Sequence, residues 1–373
     1  RPPCLPISSM RISSPVSSTI PADPLFSRRL IDWQRRCGRH QLPWQSTRDA
    51  YRVWLSEIML QQTQVSTVIP YFARFLERFP TVDALARAPV ESVLENWSGL
   101  GYYARARNLH RCAQTVVEHY GGKFPQDPEA LASLPGIGRS TAAAIAVFAF
   151  GVHAAILDGN VKRVLTRHFD IAGFPGTPAI ERSLWVLAES LLPEDGIEAY
   201  TQGLMDLGAT LCTRSTPDCT ACPIRTSCRA LAEGRVDELP EARPRKPLPE
   251  RETTMWLLSD GENVLLEQRP AMGIWGGLLS LPEQACGGDA GWQSAEALAA
   301  ACGCRLVSQE PLPALRHVFT HFRLLMHVSF CRVEPLLTSG TLPEQLRWRP
   351  WSALASAALP APVRKILEAA TFR

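Results

Sequence analysis

Apolar residues recur at helical spacing through the first two-thirds of the chain. Val53-Trp54-x3-Ile58, Val65-x2-Val68-Ile69-x2-Phe72-x2-Phe75-Leu76 and Leu184-x2-Leu187 each line one face of a helix. Pro43, Pro80, Gly99, Gly101, Gly121-Gly122, Pro135, Gly173 and Pro193 punctuate the intervals. No convincing alternating run stands between Leu25 and Ala232, so residues 25–232 are expected to form an all-α domain. From Gly234 to Glu250 the pattern breaks. Pro240, Pro244, Pro247 and Pro249 among charged residues exclude a regular helix or central strand, and predict a stiff linker over 233–250. Beyond it, Thr253–Leu258 and Asn263–Gln268 flank Ser259-Asp260-Gly261-Glu262 as a strand–turn–strand, and Phe322–Val328 reads as another strand. Ser294–Ala301 and Val363–Ala370 read as helices, so residues 251–373 are expected as an α+β domain.

The 373 residues suffice for two or three domains, and 46% hydrophobic with 20% charged content fits an ordinary globular protein. A net charge of +3 is small, so a nucleic-acid partner must be argued from local basic clusters. The longest apolar run, Ala142 to Val152, is too short to span a bilayer. Residues 1–24 are rich in Ser and Pro, lack the apolar core of a signal peptide and are expected to be disordered.

Eleven cysteines are present. Cys4, Cys37, Cys112, Cys286, Cys302, Cys304 and Cys331 are scattered without a disulfide framework, which points to a reducing cytoplasm. The other four, Cys212, Cys219, Cys222 and Cys228, lie within 17 residues as Cys-x6-Cys-x2-Cys-x5-Cys. Four thiolates so spaced can wrap one soft centre. The asymmetric spacing favours an iron–sulfur cluster over zinc, whose sites usually combine two matched Cys-x-x-Cys pairs, and over a chance grouping.

Three further segments carry candidate chemistry. In Leu134-Pro135-Gly136-Ile137-Gly138-Arg139-Ser140-Thr141, the two glycines let backbone N–H groups face outward at a helix start, where a phosphate could sit; a plain helix–turn–helix is the alternative. Asp158, in Asp158-Gly159-Asn160-Val161, reads first as a helix N-cap, and secondly as a fixed carboxylate able to stabilise a cation. Glu57 shares a helix face with Trp54 and Gln61; an acid desolvated there would have a raised pKa, as a general acid requires, whereas an exposed helix Glu is the bland reading. Two basic clusters, Arg105, Arg107, His110 and Arg111, and Lys162, Arg163, Arg167 and His168, read either as DNA contacts or as solvated helix faces.

Gln61-Gln62-Thr63, Gly99-Leu100-Gly101-Tyr102-Tyr103, the Leu-Pro-Gly-Ile-Gly hairpin, Asp158-Gly-Asn and the cysteine quartet occur in the order of the helix-hairpin-helix DNA glycosylases. The chain closely resembles the MutY-type adenine DNA glycosylases from about Leu25 to its C-terminus. The resemblance implies a monofunctional enzyme that flips adenine, mispaired with 8-oxoguanine or guanine, out of double-stranded DNA and hydrolyses its glycosidic bond. It implies a six-helix lobe from about Thr47 to His153 and a 4Fe–4S lobe that joins the preceding chain to Asp158–Ala232. Glu57 and Asp158 would come from opposite lobes and face each other. The third part would be a Nudix-like reader of 8-oxoguanine.

By the same resemblance Glu57 is the catalytic acid, and Asp158 stabilises charge on the sugar. Gln61 and Gln62 fill the gap beside the extruded base, Tyr102 wedges beside 8-oxoguanine, Trp44 lines the adenine pocket, and Asn160 and Asp206 assist. Gly136, Gly138 and Ser140 belong to the DNA-contacting hairpin. Ser140 stands where bifunctional relatives carry a nucleophilic lysine, so strand cleavage through a Schiff base is not expected, and Lys162 fits a phosphate contact better. Gly273-Ile274-Trp275-Gly276-Gly277 is similar to a Nudix loop, but Glu296 is the lone Glu of the corresponding helix, which argues against nucleotide hydrolysis. Phe319, Thr320 and His321 match the family's Phe-Ser-His reader loop, with Thr320 in place of Ser. The expected protein is a monomer, cytoplasmic and nucleoid-associated, with a 4Fe–4S cofactor. Its rivals are a bifunctional glycosylase/lyase and a catalytically silent DNA-binding iron–sulfur protein.

Overall fold

The computed structural model describes residues 23, 25–243, 247–270, 273–284, 292–336, 342–355 and 357–370. The expected N-terminal extension, Asp23 apart, lies outside the described residues, as do Cys4 and Cys286. Up to Ala232 the chain is helical: α1 (Phe26–Cys37), α2 (Ala50–Leu60), α3 (Val65–Arg78), α4 (Val82–Arg87), α5 (Val90–Trp97), α6 (Ala104–Tyr120), α7 (Pro128–Ser133), α8 (Arg139–Phe150), α9 (Gly159–His168), α10 (Pro178–Ser190), α11 (Ile197–Asp206) and α12 (Arg229–Ala232). A single π-turn, Leu207–Leu211, continues α11 toward the first cysteine of the quartet.

Two compact units emerge. One joins the chain up to His40 with Ala146–Arg243, and the other joins Gln41–Ile145 with Pro244–Arg373. In the first, α1 packs on α11, and Phe26, Leu30, Tyr200 and Leu204 are buried. The expected linker is not free over its first part. Arg235 Nη1 donates to both carboxylate oxygens of Asp170 (2.8 and 2.9 Å), Arg167 donates to the Leu239 carbonyl (2.7 Å), and Gly173 N–H donates to Glu241 (2.7 Å).

In the second unit, α2 to α7 bury Trp54, Phe75, Leu85, Trp97 and Leu109. Its C-terminal part is a mixed sheet of β1 (Glu250–Ser259), β2 (Asn263–Gln268), β3 (Leu279–Ser280), β4 (Cys304–Pro311), β5 (Leu315–Val318), β6 (Arg323–Pro335) and β7 (Leu346–Pro350). Glu250, expected as the last linker residue, opens β1. The order is β3-β2-β1-β6-β4, with β5 also on β6 and β7 on β2; β1 and β6 run parallel. Alternation along β1 sends Met255 and Leu257 to one apolar cluster, which includes Val363 and Ile366 of α14 (Ala361–Ala370). Trp256 and Leu258 go to another, which includes Leu298 of α13 (Ala295–Ala301). No helix among the described residues is long and apolar enough to cross a membrane.

Candidate active site

Within the second unit, Asp49 caps α2 by accepting from Tyr51 N–H (2.9 Å). Three residues before Glu57, Trp54 is fully buried with its ring 5.0 Å from Phe124; Glu57 itself is half-buried. The helix stops at Leu60. Gln61 is its C-cap, with extended ψ of 111°, and therefore does not continue the face of Glu57 as its spacing predicted. Its side chain instead donates to Thr141 in the first turn of α8 (3.4 Å).

The next residue, Gln62, is exposed and has φ +56°. Tyr102 shares this conformation, with φ +48° and 53% of its surface exposed. Left-handed backbone is costly for residues with side chains and is kept only where the surroundings over-determine it. The Tyr102 turn is shaped by Gly99 (φ +101°), where a Cβ would lie 2.1 Å from the Tyr71 hydroxyl oxygen; that hydroxyl donates to the Ser98 carbonyl (2.7 Å). Trp44 is buried edge-on to Phe72, 5.5 Å between centroids.

The two glycines of the hairpin differ. Gly136 has φ +79°, and a Cβ there would come 2.7 Å from Asn108 Cβ. Gly138 has neither constraint, with nothing within 4 Å of a Cβ. Ser140 is half-buried in the first turn of α8.

At the tip between β5 and β6, Phe319 N–H donates to the Phe322 carbonyl (2.9 Å) and the two rings stack at 4.5 Å and 19°. His317 meets Phe319 edge-on at 4.6 Å, and the Trp275 ring lies at 5.8 Å. Thr320 and His321 are left exposed at the tip.

Within the first unit, Asp158 caps α9 as expected, its Oδ1 accepting from Val161 N–H (2.8 Å). Burial raises its pKa above the ordinary carboxylate value. The N–H groups of Val161 and Asn160 and the charges of Arg163 and Lys162 act against that rise. Asn160 accepts from Arg163 (2.8 Å), which also donates to the Gly208 (2.7 Å) and Cys212 (2.8 Å) carbonyls. Arg167 approaches Cys212 Sγ at 3.5 Å and donates to the Thr213 carbonyl (2.6 Å).

Cys212, Cys219, Cys222 and Cys228 line one small cavity, of about 30 Å³, with Leu211, Ile224 and Leu231. Among the described residues no three His, Cys, Asp or Glu side chains are close enough to hold a single metal ion. Burial raises the Cys219 and Cys228 thiols and pushes Cys222 up to about 12. Asp206 is wholly buried and accepts from Arg39 N–H (2.9 Å), Arg39 Nε (2.7 Å) and Gln202 (2.9 Å).

The two basic clusters correct the sequence expectation, because most of their members serve the fold. Arg105 grips six oxygens of its own lobe, His110 is buried against the Ala88 carbonyl (2.9 Å), and Arg107 donates to the Gly276 carbonyl. Lys162 pairs with Glu181 (2.6 Å), and Arg167 and His168 are buried. Arg111 alone of the first cluster lies exposed, donating to Asn108 (2.7 Å).

Residues 55–190 match the model of the HhH-GPD superfamily base excision DNA repair proteins, and residues 253–369 that of the NUDIX domain. The adenine DNA glycosylase of Buchnera aphidicola subsp. Acyrthosiphon pisum is 35% identical over 92% of this chain and 97% of that protein. The adenine DNA glycosylase of Homo sapiens is 34% identical over 91% of this chain and 73% of that protein. A thermostable thymine-DNA glycosylase structure is 29% identical, with a TM-score of 0.50 over 56% of this chain and 96% of that one. With a helix-hairpin-helix domain, a Nudix-like domain and full-length relatives of one activity, the chain belongs to the adenine DNA glycosylases of base excision repair.

Proposed function

We propose that this enzyme excises adenine paired with 8-oxoguanine or guanine, using Glu57 as acid and Asp158 as the charge partner of the sugar. The observation that carries the reading is Asp158. It is a partly buried carboxylate held by a helix start and set beside Arg163 and Lys162 without a salt bridge to either among the described contacts. Glu57 protonates N7 of the flipped adenine. The C1′–N9 bond then breaks with its electron pair going to the base, leaving an oxocarbenium ion that the Asp158 carboxylate stabilises. Water adds to C1′ and gives its proton to Glu57, which restores the acid for the next turnover. The two carboxyls thus hold different roles through different settings. Ser140 supplies no amine, so the product is an intact strand with an abasic site.

Gln62 and Tyr102, both exposed and left-handed, enter the duplex beside the flipped base and beside 8-oxoguanine. Gln61 supports them, Trp44 lines the adenine pocket, and Asn160 and the buried Asp206 assist. The Gly136–Ser140 turn takes a backbone phosphate; the open space at Gly138 leaves room for it. Phe319, Thr320 and His321 read the 8-oxoguanine. The protein works as a monomer on double-stranded DNA of the nucleoid.

The four cysteines suit a 4Fe–4S cluster. They frame a cavity with largely apolar neighbours, offering soft thiolate donors around a volume rather than a point. When bound, the cluster cross-links the Cys212–Cys228 loop, and glycosidic hydrolysis asks no electron transfer of it. The test is a strand assay on duplexes with A opposite 8-oxoguanine, G or T. Nicks after alkali are expected for the first two only, with loss in Glu57→Gln. Wild-type activity of that variant would remove Glu57 from the acid's role.

A further inference from the structure

Gln62 and Tyr102 belong to different loops, 40 positions apart in sequence, yet one side chain holds both. Arg105 Nη1 donates to the carbonyls of Ile58 (3.0 Å), Met59 (2.9 Å) and Gln61 (2.7 Å). Its Nη2 donates to Thr63 Oγ1 (3.1 Å) and to the carbonyls of Leu100 (3.1 Å) and Gly101 (3.3 Å). The first three oxygens include carbonyls that the end of α2 leaves without helical partners, at the negative end of its dipole. The last two belong to the turn between α5 and α6. Gln61 and Gly101 immediately precede the two left-handed residues, so the same guanidinium fixes the peptide leading into each. The cation also lies over the Trp97 ring at 5.2 Å and the Tyr102 ring at 5.7 Å.

We infer that Arg105 is a positioning residue. It locks the Gln62 and Tyr102 loops into one rigid two-pronged wedge, so that both prongs enter the duplex together and the adenine is extruded. The inference rests on the reading that Gln62 and Tyr102 enter DNA. A planar fork with two separate Nη groups can span two loops; the single ammonium of a lysine cannot reach both sets of carbonyls at once. Burial pulls the guanidinium down to about 10, so it stays charged at neutral pH. Without the pin each left-handed residue is free to relax, and a displacement of about 1 Å between the prongs is enough to slow the step about 10²-fold.

The test compares full-length wild type, Arg105→Lys, Tyr102→Ala and the double variant. Single-turnover adenine excision is measured opposite 8-oxoguanine, with 2-aminopurine beside the lesion to report unstacking. Affinity for undamaged duplex checks the fold. Arg105→Lys is expected to slow excision about 10- to 100-fold and to shrink the 2-aminopurine signal, with non-specific affinity within about threefold of wild type. The double variant is expected within about threefold of the slower single variant, because both act on one wedge. Wild-type excision by Arg105→Lys, or losses that multiply in the double variant, would overturn the inference. If Tyr102→Ala itself leaves rate and signal unchanged, the wedge reading fails with Arg105 in place, and the inference falls with it. Should Arg105→Lys not fold, Thr63→Val removes one of the six acceptors. It is expected to show a smaller loss of about three- to tenfold, again non-additive with Tyr102→Ala; no loss, or an additive one, counts against the pin.

Discussion

Tyr103 donates its hydroxyl to the Leu359 carbonyl at 3.2 Å, which ties the turn carrying Tyr102 to the Nudix-like part of the same unit. Arg364 adds a second tie, Nη2 to Ser98 Oγ at 3.2 Å. The wedge turn is thus gripped by Arg105 from within its lobe and by the C-terminal domain from outside it.

This docking gives the first prediction. Tyr103→Phe removes one neutral hydrogen bond, worth about 0.5–1.5 kcal/mol net. If reading of 8-oxoguanine and placement of Tyr102 are coupled, the preference for A opposite 8-oxoguanine over A opposite G should fall about 2- to 10-fold. Single-turnover rates on the two duplexes measure it. An unchanged ratio would mean that the contact holds the domains but carries no specificity.

Asp158→Asn separates chemistry from stability. Asn caps a helix about as well as Asp, so α9 should keep its start. Burial raises the Asp158 pKa above its unfolded value, so ionisation at neutral pH opposes folding. The sign follows: the wild type is penalised above the folded pKa, and the penalty fades as pH falls through that value toward 3.8. At pH 7 the variant should melt no lower than wild type, and any advantage should shrink in acid. Excision should fall at least about 10²-fold, as for loss of a charge that meets the transition state. A clear drop in Tm at pH 7 would show that the carboxylate is needed for the fold.

The hairpin glycines give opposite outcomes. Gly136→Ala meets both a positive φ and Asn108, and should cost about 1–2 kcal/mol or more, seen as a lower Tm. Gly138→Ala has open space and no such φ, so its Tm should hold. If a phosphate approaches that backbone, Gly138→Ala should still weaken duplex binding in an anisotropy titration. Wild-type affinity would leave the second glycine without a role.

Much of this was legible in the sequence. The 3.6-residue period marked the helices, and Asp158-Gly-Asn marked a cap that the structure contains. Strands β1, β2 and β6 were visible because their apolar residues are buried on two faces. Strands β4 and β5 were not, since most of their residues are exposed or only half-buried, and alternation fades when neither face is dry. The basic residues misled for a different reason. A sequence shows charge but not direction, and Arg105 and Arg167 turn inward to carbonyls that only the tertiary fold supplies. The burial of Asp206 was hidden in the same way, since its partner Arg39 lies 167 positions away. The end of α2 at Leu60 had no Gly or Pro to announce it; the tertiary reach of Arg105 meets the carbonyls there.

The cysteine loop offers a quantitative test of its own. Arg214 and Arg225 are exposed on the stretch from Cys212 to Cys228, and Arg167 and Arg163 hold its first residues to α9. If the bound cluster sets this loop against DNA, the two exposed arginines each neutralise a phosphate. Arg214→Ala/Arg225→Ala should then retain the visible absorption of an iron–sulfur cluster and lower the slope of log Kd against log salt by about 1.8, at 0.9 per phosphate. Cys219→Ser should lose that absorption, and with it stability and DNA affinity together. A cluster-free Cys219→Ser protein that melts, binds and excises like wild type would show that the loop needs no cluster. An unchanged salt slope in the double arginine variant would move the DNA contact elsewhere.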